Sequence, residues 1–314
     1  MRKKWGLLLV CFLGISIASY FGFSLFIREK PSRIREHTKH SYGAYFVPVS
    51  ISKFTQTGLP CLPVQIDDRI ISMELDLGFQ GDLSIEDTFI EQIPSKTLIR
   101  TKRMYGFRGK EYQTNLYRIP KIGIGAMSFI QPILQKNSEE SRSDAVIVQN
   151  GAKRSTHEQG RVGWELFYNV NLLLDLKHSK IAFCDSLDTL KNHGYGIGDF
   201  VKIPLLLDRG LVEFDAKLTG GSIRCMLDTG ATWNILNTEI EEGKSIEQVA
   251  WEPENILEYS SFKIDHMDFG AIAFHLFPIK IPIHIEAILG MEFFEKHLVF
   301  LDFAEKYVYF AKDP

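Results

Sequence analysis

The sequence has little cysteine and no excess of positive charge. Its four cysteines are Cys11, Cys61, Cys184 and Cys225, and no two of them have the close spacing of a metal-binding or redox motif. We interpret the last three as small buried apolar residues, which leaves the redox compartment open. With 36 basic and 39 acidic residues the formal net charge is -3, so the chain lacks the basic surface that nucleic-acid binding requires.

The motifs of several common enzyme classes are also missing. The chain contains no Gly-x-Ser-x-Gly elbow, no phosphate-binding P-loop and no zinc-protease helix motif. The histidines His266, His275 and His284 match no metal-ligand spacing, and we interpret them as surface or strand residues. The glycine-rich segment 194–198 lacks the following helix and the glycine spacing of a nucleotide loop, and we interpret it as a linker. The sequence therefore predicts neither a metal nor an organic cofactor.

Charged residues are absent from a long stretch near the N-terminus. Residues 5–27 contain no charge, and this length is sufficient for a helix to cross a bilayer. A cleaved secretory signal ending near Ala18 is the alternative, but the apolar run continues well beyond that residue. We therefore predict a transmembrane segment within 1–27 and a polar tether at 28–44. This implies single-pass membrane localisation, with the bulk of the chain outside the cytoplasm.

From about Tyr45 onward, short apolar segments alternate with turn residues, and no long run has the period of a helix. This pattern predicts an all-β fold. Two hairpins are expected at 64–71 and 212–227, the second with a Gly-Gly turn. With 314 residues, of which 45% are hydrophobic and 24% charged, the chain is long enough for one large or two small domains.

Similar segments occur twice, in the same order. Three pairs match: 71–79 with 223–231, 125–129 with 270–274, and 163–167 with 290–294. In the first pair Asp76 coincides with Asp228. We interpret the pattern as a tandem duplication, with a first half at 45–190 and a second half at 191–314.

The sequence Asp228-Thr229-Gly230 lies between two apolar runs, and it resembles the active-site loop of retroviral-type and pepsin-type aspartic proteases. An ordinary turn in which aspartate precedes glycine is the alternative, but the apolar frame and the upstream copy at Asp76 favour the resemblance. The resemblance implies two pseudo-symmetric acid-protease-type β-barrel halves in one chain, and hence a monomer. It also implies a peptide or protein substrate and a catalytic water shared by two aspartates.

The resemblance assigns roles to individual residues. Asp76 and Asp228 are the expected catalytic pair, and two carboxyl groups about 3 Å apart share one proton because both cannot ionise. One would accept a proton from water while the other donates to the peptide carbonyl, without a metal or a covalent intermediate. The residues expected to form or support the active-site loops are Gly78, Gly163, Thr229, Gly230, Ala231 and Gly290.

A predicted hairpin at 98–118 carries a Tyr-Gly pair, Tyr105-Gly106. Such a hairpin resembles the flap that closes over the substrate in pepsin-like enzymes, which gives these two residues an expected role in substrate binding. A plain surface hairpin is the alternative.

Two residues of the first half depart from the family pattern. Leu77 stands where Thr or Ser is expected, so one of two interlocking hydroxyls is missing, at a cost on the order of 1 kcal/mol. Arg161 stands where the second half has the apolar Ile288.

These departures leave three hypotheses. The first is a membrane-anchored aspartic endopeptidase, and the second is a catalytically inactive descendant that binds an extended peptide by strand addition. The third is a structural β-domain in which the aspartates are incidental. Retention of both aspartates favours the enzyme, because keeping two buried like charges is costly.

Overall fold

Most of the described residues lie in short β-strands joined by turns. The computed structural model describes residues 45–54, 58–105, 111–137, 160–207, 210–218, 221–238, 255–279 and 285–312. All of them belong to one compact unit, His40–Pro314. The chain is mainly β, as the sequence predicts, and its helices are short.

The strands are numbered in chain order as β1 (Phe46–Ser50), β2 (Ser52–Lys53), β3 (Pro60–Ile66), β4 (Arg69–Asp76), β5 (Leu83–Glu86), β6 (Thr97–Tyr105), β7 (Glu111–Arg118), β8 (Lys121–Ile124), β9 (Met127–Ile130), β10 (Ile133–Asn137), β11 (Gly160–Gly163), β12 (Asn171–Asp175), β13 (Lys180–Cys184), β14 (Val201–Pro204), β15 (Glu213–Leu218), β16 (Gly221–Leu227), β17 (Ile235–Asn237), β18 (Ile256–Tyr259), β19 (Phe262–Ile264), β20 (Met267–Asp268), β21 (Ile272–Phe277), β22 (Ala287–Leu289), β23 (His297–Asp302) and β24 (Tyr307–Lys312). The short helices are α1 (Asp87–Ile90), α2 (Leu187–Asn192) and α3 (Met291–Phe294), with 3-10 turns at Trp164–Phe167 and Ile197–Asp199.

The hairpin of β3 and β4 follows from its sequence pattern. Along β3 the apolar Val64 and Ile66 are buried while Gln65 between them is exposed, which is the alternation of a strand with one buried face. The two-residue turn that follows places Asp67 at a φ of 50°, a left-handed conformation that aspartate tolerates better than most residues. β4 then returns antiparallel to β3 and ends at Asp76, so the predicted hairpin is confirmed.

Two large sheets repeat one order of strands. A ten-stranded sheet has the order β6-β7-β10-β5-β11-β4-β3-β8-β9, with β2 paired to β3. An eight-stranded sheet has the order β18-β21-β17-β22-β16-β15-β19-β20, which matches the first sheet strand by strand once β6 and β2 are left out. A duplicated chain would give this repeated order. The half boundaries 45–190 and 191–314 stay predictions.

A third sheet takes strands from both ends of the chain. Its order is β1-β13-β12-β23-β24-β14. At its centre β12 and β23 run antiparallel, with Leu172 opposite Leu301, and both leucines are fully buried. They belong to one continuous hydrophobic core that also contains Phe183 and Phe310. Segments that are far apart in sequence therefore share one core.

The predicted membrane localisation is corrected by the structure. In the ranges that the structure describes, no helix is long and apolar enough to cross a membrane. A spanning helix needs about 20 residues, whereas α2, the longest described helix, has 6 residues. The segment 5–27 and the tether 28–44, on which the prediction was based, lie outside the described residues.

We expect Leu301→Ala to lower the free energy of unfolding by about 2–5 kcal/mol, because it leaves a cavity where β12 meets β23. Leu257→Ala, on a side chain that is 38% exposed, is the matched control and should change stability by less than about 1 kcal/mol. Denaturant unfolding of both variants makes the comparison. Equal losses would show that the third sheet does not depend on this contact.

Candidate active site

Asp76 stands at the end of a strand that is enclosed on both sides. β4 pairs antiparallel with β3 and parallel with β11, so its backbone groups are held within the sheet. The side chain of Leu75 is fully buried and Asp76 is only 7% exposed. Past the strand the chain turns, and the Phe79 N–H donates to the Asp76 carbonyl at 3.1 Å.

Asp228 occupies the equivalent place after β16. That strand pairs antiparallel with β15 and parallel with β22, and the Asp228 N–H donates to the Leu289 carbonyl of β22 at 3.0 Å. The Gly230 N–H donates to Asp228 Oδ1 at 2.8 Å. The Asp228 side chain is half-buried, so this member of the pair reaches the surface.

The two loops approach so closely that each places its glycine against the carboxyl group of the other. A Cβ atom on Gly78 would lie 2.5 Å from Asp228 Cγ, and one on Gly230 would lie 2.6 Å from Asp76 Cγ. Neither position could hold a side chain without moving a carboxyl group. The structure thus brings together Asp76 and Asp228 and both loop glycines.

The contact between the carboxyl groups changes how they titrate. Removal from water, and next the charge of Asp76, raise the pKa of Asp228 above that of an ordinary aspartic acid. A hydrogen bond between the two side chains acts in the same direction, while the Gly230 N–H and the Arg161 guanidinium lower this pKa. Asp228 therefore keeps its proton to higher pH than an isolated aspartate.

Thr229 ties the two loops to each other. Its side chain is fully buried, its Oγ1 donates to the Leu75 carbonyl at 2.6 Å, and the same oxygen accepts from the Leu77 N–H at 3.1 Å. Leu77, the corresponding residue of the first loop, is also fully buried but has no hydroxyl. The cross-link is therefore made from one side only.

Gly163 and Gly290 lie directly behind the two loops. Gly163 is opposite Asp76 in the parallel pairing of β11 with β4. A Cβ atom on either glycine would collide with backbone atoms of the adjacent loop, among them the Ala231 carbonyl next to Gly290. That carbonyl accepts from the Met291 N–H at 2.8 Å, which joins the start of α3 to the loop.

Asn234 is a supporting residue that the sequence analysis missed. Its side chain is 3% exposed, its Oδ1 accepts from the Gly290 N–H at 3.1 Å, and its Nδ2 donates to the Ala273 carbonyl at 3.2 Å. A buried amide needs such partners, and here they fix β22 and β21 against the loop. Its position six residues after Asp228, at the start of an apolar run, was the available signal.

A charged pair lies beside Asp76 and has no equivalent beside Asp228. Arg161 Nη1 is 3.6 Å from Asp76 Oδ2, and Arg161 Nε is 3.6 Å from Oε2 of the fully buried Glu74. In the second half the matching residues are Ile288 and Met226, both buried and apolar. The sequence flagged Arg161 as a departure but gave Glu74 no role.

The proposed flap is described only in part. β6 ends at Tyr105, which pairs with Glu111 at the start of β7, so the residues form a hairpin. Gly106 lies outside the described residues, as does the side chain of Tyr105, and their substrate-binding role stays a prediction. Within the described ranges no group of three or more His, Cys, Asp or Glu side chains could hold a metal ion.

Replacing the buried hydroxyl tests the link between the loops. We expect Thr229→Val to reduce the free energy of unfolding by about 1–3 kcal/mol, because the Leu75 carbonyl and the Leu77 N–H lose their shared partner. Thr232→Val, at an exposed position of the same loop, should stay within about 0.5 kcal/mol of wild type. Denaturant unfolding checks both variants, and similar effects would contradict a cross-linking role.

The raised pKa of Asp228 predicts a pH-dependent stability. Protonation favours the folded state, so this contribution is complete below the unfolded pKa of about 4 and is lost as the pH rises through the folded pKa. We therefore expect wild type to lose stability relative to Asp228→Asn between pH 4 and pH 7, in denaturant unfolding at several pH values.

The control for this prediction is Asp268, an aspartate whose pKa is lowered instead of raised. The Gly270 N–H and the Ser261 hydroxyl lower the pKa of Asp268. Wild type should therefore gain stability relative to Asp268→Asn as the pH rises toward the unfolded pKa of about 4, and the difference should stay constant from there to pH 7. A loss relative to Asp268→Asn as large as that relative to Asp228→Asn between pH 4 and pH 7 would contradict the assignment of Asp228.

No protein-family model matches the chain, and no curated protein matches it. Among solved structures, the basic 7S globulin from soybean is similar with a TM-score of 0.56 at 12% sequence identity, over 86% of this chain and 96% of the soybean chain. Conglutin gamma, a basic 7S globulin from lupine seeds, is similar with a TM-score of 0.57, also at 12% identity and the same coverage. The likeness supports the pepsin-type fold that the resemblance implies, and both neighbours are named as globulins rather than as proteases.

Proposed function

We propose that the chain is an aspartic-type endopeptidase that hydrolyses peptide bonds at the Asp76–Asp228 pair. The observation that carries the proposal is that each carboxyl group lies against the other loop's glycine and that the two aspartate side chains are hydrogen-bonded to each other. This arrangement fits a shared proton, which is what general acid and general base catalysis by one pair of carboxyl groups requires.

The chemistry needs no group beyond the pair and a water molecule. An ionised carboxylate accepts a proton from the water as the water attacks the peptide carbonyl, and the protonated partner donates to the carbonyl oxygen. The half-buried Asp228 gives a substrate access to the pair. Because both carboxyl groups come from one chain, a monomer would be sufficient.

The substrate class is an extended peptide or an exposed segment of a protein. A peptide in strand conformation offers its own backbone groups for pairing with a sheet edge, and β6 and β18 are edge strands of the two large sheets. β6 also belongs to the hairpin expected to act as a flap.

A second candidate function is peptide binding without hydrolysis. Leu77 leaves the cross-link between the loops one-sided, and the two similar structures are globulins by name, which favours this candidate. In such a protein the carboxyl pair would remain while peptide cleavage would be lost.

One experiment separates the two candidates. The full-length chain is incubated with a diverse peptide library from about pH 3 to pH 7, the range in which carboxyl pairs titrate, beside Asp76→Asn, Asp228→Asn and the control Asp268→Asn. We expect each of the first two variants to reduce cleavage by roughly 10²–10⁴-fold, as removal of a general acid or base does, and the control to cleave like wild type.

The other outcomes are equally informative. Peptide binding without cleavage in folded wild-type protein would support the second candidate. Cleavage that survives both substitutions would overturn the proposed pair, and a chain that neither binds nor cleaves peptides would leave a structural β-domain.

A further inference from the structure

The two halves differ at a matched pair of positions behind the carboxyl groups. In the first half Glu74 and Arg161 face each other in the pairing of β4 with β11. In the second half Met226 and Ile288 face each other in the pairing of β16 with β22. The first half therefore has an ion pair at the position where the second half has an apolar pair.

Stability alone does not account for the ion pair. A buried ion pair is often no more stabilising than well-packed apolar residues of similar volume, because taking both charges out of water offsets their attraction. The second half shows that this backbone accepts such an apolar pair, since Met226 and Ile288 are 3% and 1% exposed. The charged version thus calls for another explanation.

Arg161 lies between two carboxylates. Its side chain is 14% exposed, and its guanidinium is 3.6 Å from an oxygen of Glu74 and 3.6 Å from an oxygen of Asp76. A cation this close to an aspartate favours the ionised form of the carboxyl group. Asp228, on the other loop, has no direct ion pair with this arginine among the described contacts.

The charged and polar groups around the pair act unequally on the two aspartates. Asp76 faces Arg161 from β11, Asp228 from the second loop and Glu74 of its own strand. Of the opposite charges on Arg161 and Glu74, it is the one on Arg161 that forms an ion pair with Asp76. On the other loop the Gly230 N–H donates to Asp228 Oδ1 and favours ionisation of that carboxyl group, so the full charge of the arginine has to outweigh this hydrogen bond.

We propose that Arg161 is a positioning residue that keeps Asp76 ionised, as the base, and leaves the shared proton on Asp228, as the acid. This inference rests on the proposed carboxyl pair, but it concerns titration and does not require the chain to cleave peptides.

The test is the titration of the individual carboxyl groups. The full-length chain is labelled with ¹³Cγ-aspartate, the signals of Asp76 and Asp228 are identified with the Asp→Asn variants, and their shifts are followed from about pH 2 to pH 9 by NMR. In wild type we expect the lower titration step to appear at Asp76. A lower step at Asp228 would overturn the proposal, and the titration itself is followed on the wild-type chain.

The variant arm makes the first half resemble the second. The double substitution Glu74→Met with Arg161→Ile leaves the net charge unchanged and avoids an unpaired buried Glu74. We expect the lower step of the pair to rise by about one pH unit or more, since Asp76 loses the nearer charge. The single substitution Arg161→Lys keeps the cation, so the lower step should rise less in this variant than in the double variant.

A matched control removes a comparable ion pair from the second half. Arg224 Nη1 lies 3.6 Å from Oε2 of Glu213, and Glu213→Gln with Arg224→Met should leave the titration of the pair within about 0.3 units. An unchanged lower step in the Glu74–Arg161 double variant would show that Arg161 only neutralises Glu74, which overturns the proposal.

Activity separates this inference from the proposed function. If the chain cleaves peptides, the acid limb of its pH–rate profile should move upward with the lower step in the double variant. A chain that never cleaves but shows the expected titration would contradict the endopeptidase and support the role of Arg161. Cleavage with an unmoved acid limb would overturn the role of Arg161 alone.

Discussion

The contact between two carboxyl groups is the constraint on which the rest of the site depends. Asp76 and Asp228 repel each other once both are ionised, so the backbone has to hold them together. It does so because each ends, or directly follows, an inner strand paired on both sides, and because Thr229 bonds to the opposite loop. The pairing of the strands within the sheets therefore holds the two carboxyl groups together against their repulsion.

The strands on which the two aspartate loops pack also hold the carboxyl groups in place. β11 and β22 run parallel to the strands that deliver the aspartates, and the glycines at or just after their ends let the two loops pack directly on their backbone. Asn234 adds side-chain hydrogen bonds on one side. The contact between the carboxyl groups thus depends on the packing behind the loops, since a larger residue at Gly163 or Gly290 would displace a loop and separate the carboxyl groups.

The sequence was informative where the pattern is local or repeated. The alternation along β3 predicts the hairpin that ends at Asp76, and the repeated segments relate Asp76 to Asp228. The pairing of Glu74 with Arg161 could not be predicted, because it depends on parallel strands that are far apart in the chain. The membrane prediction was made from the apolar composition of 5–27, which lies outside the described residues, and it is corrected because the described part of the chain contains no helix that could cross a membrane.

The third sheet has a consequence for how symmetry can be lost. The two copies of the aspartate loop belong to one polypeptide, and because this sheet joins β12 to β23 they also share one core. In an assembly of two identical subunits, every substitution appears twice and both loops change alike. A covalently continuous pair is free of this restriction. A single gene can then carry a cation beside one loop and an aliphatic residue beside the other, and the two aspartates can diverge in character one substitution at a time.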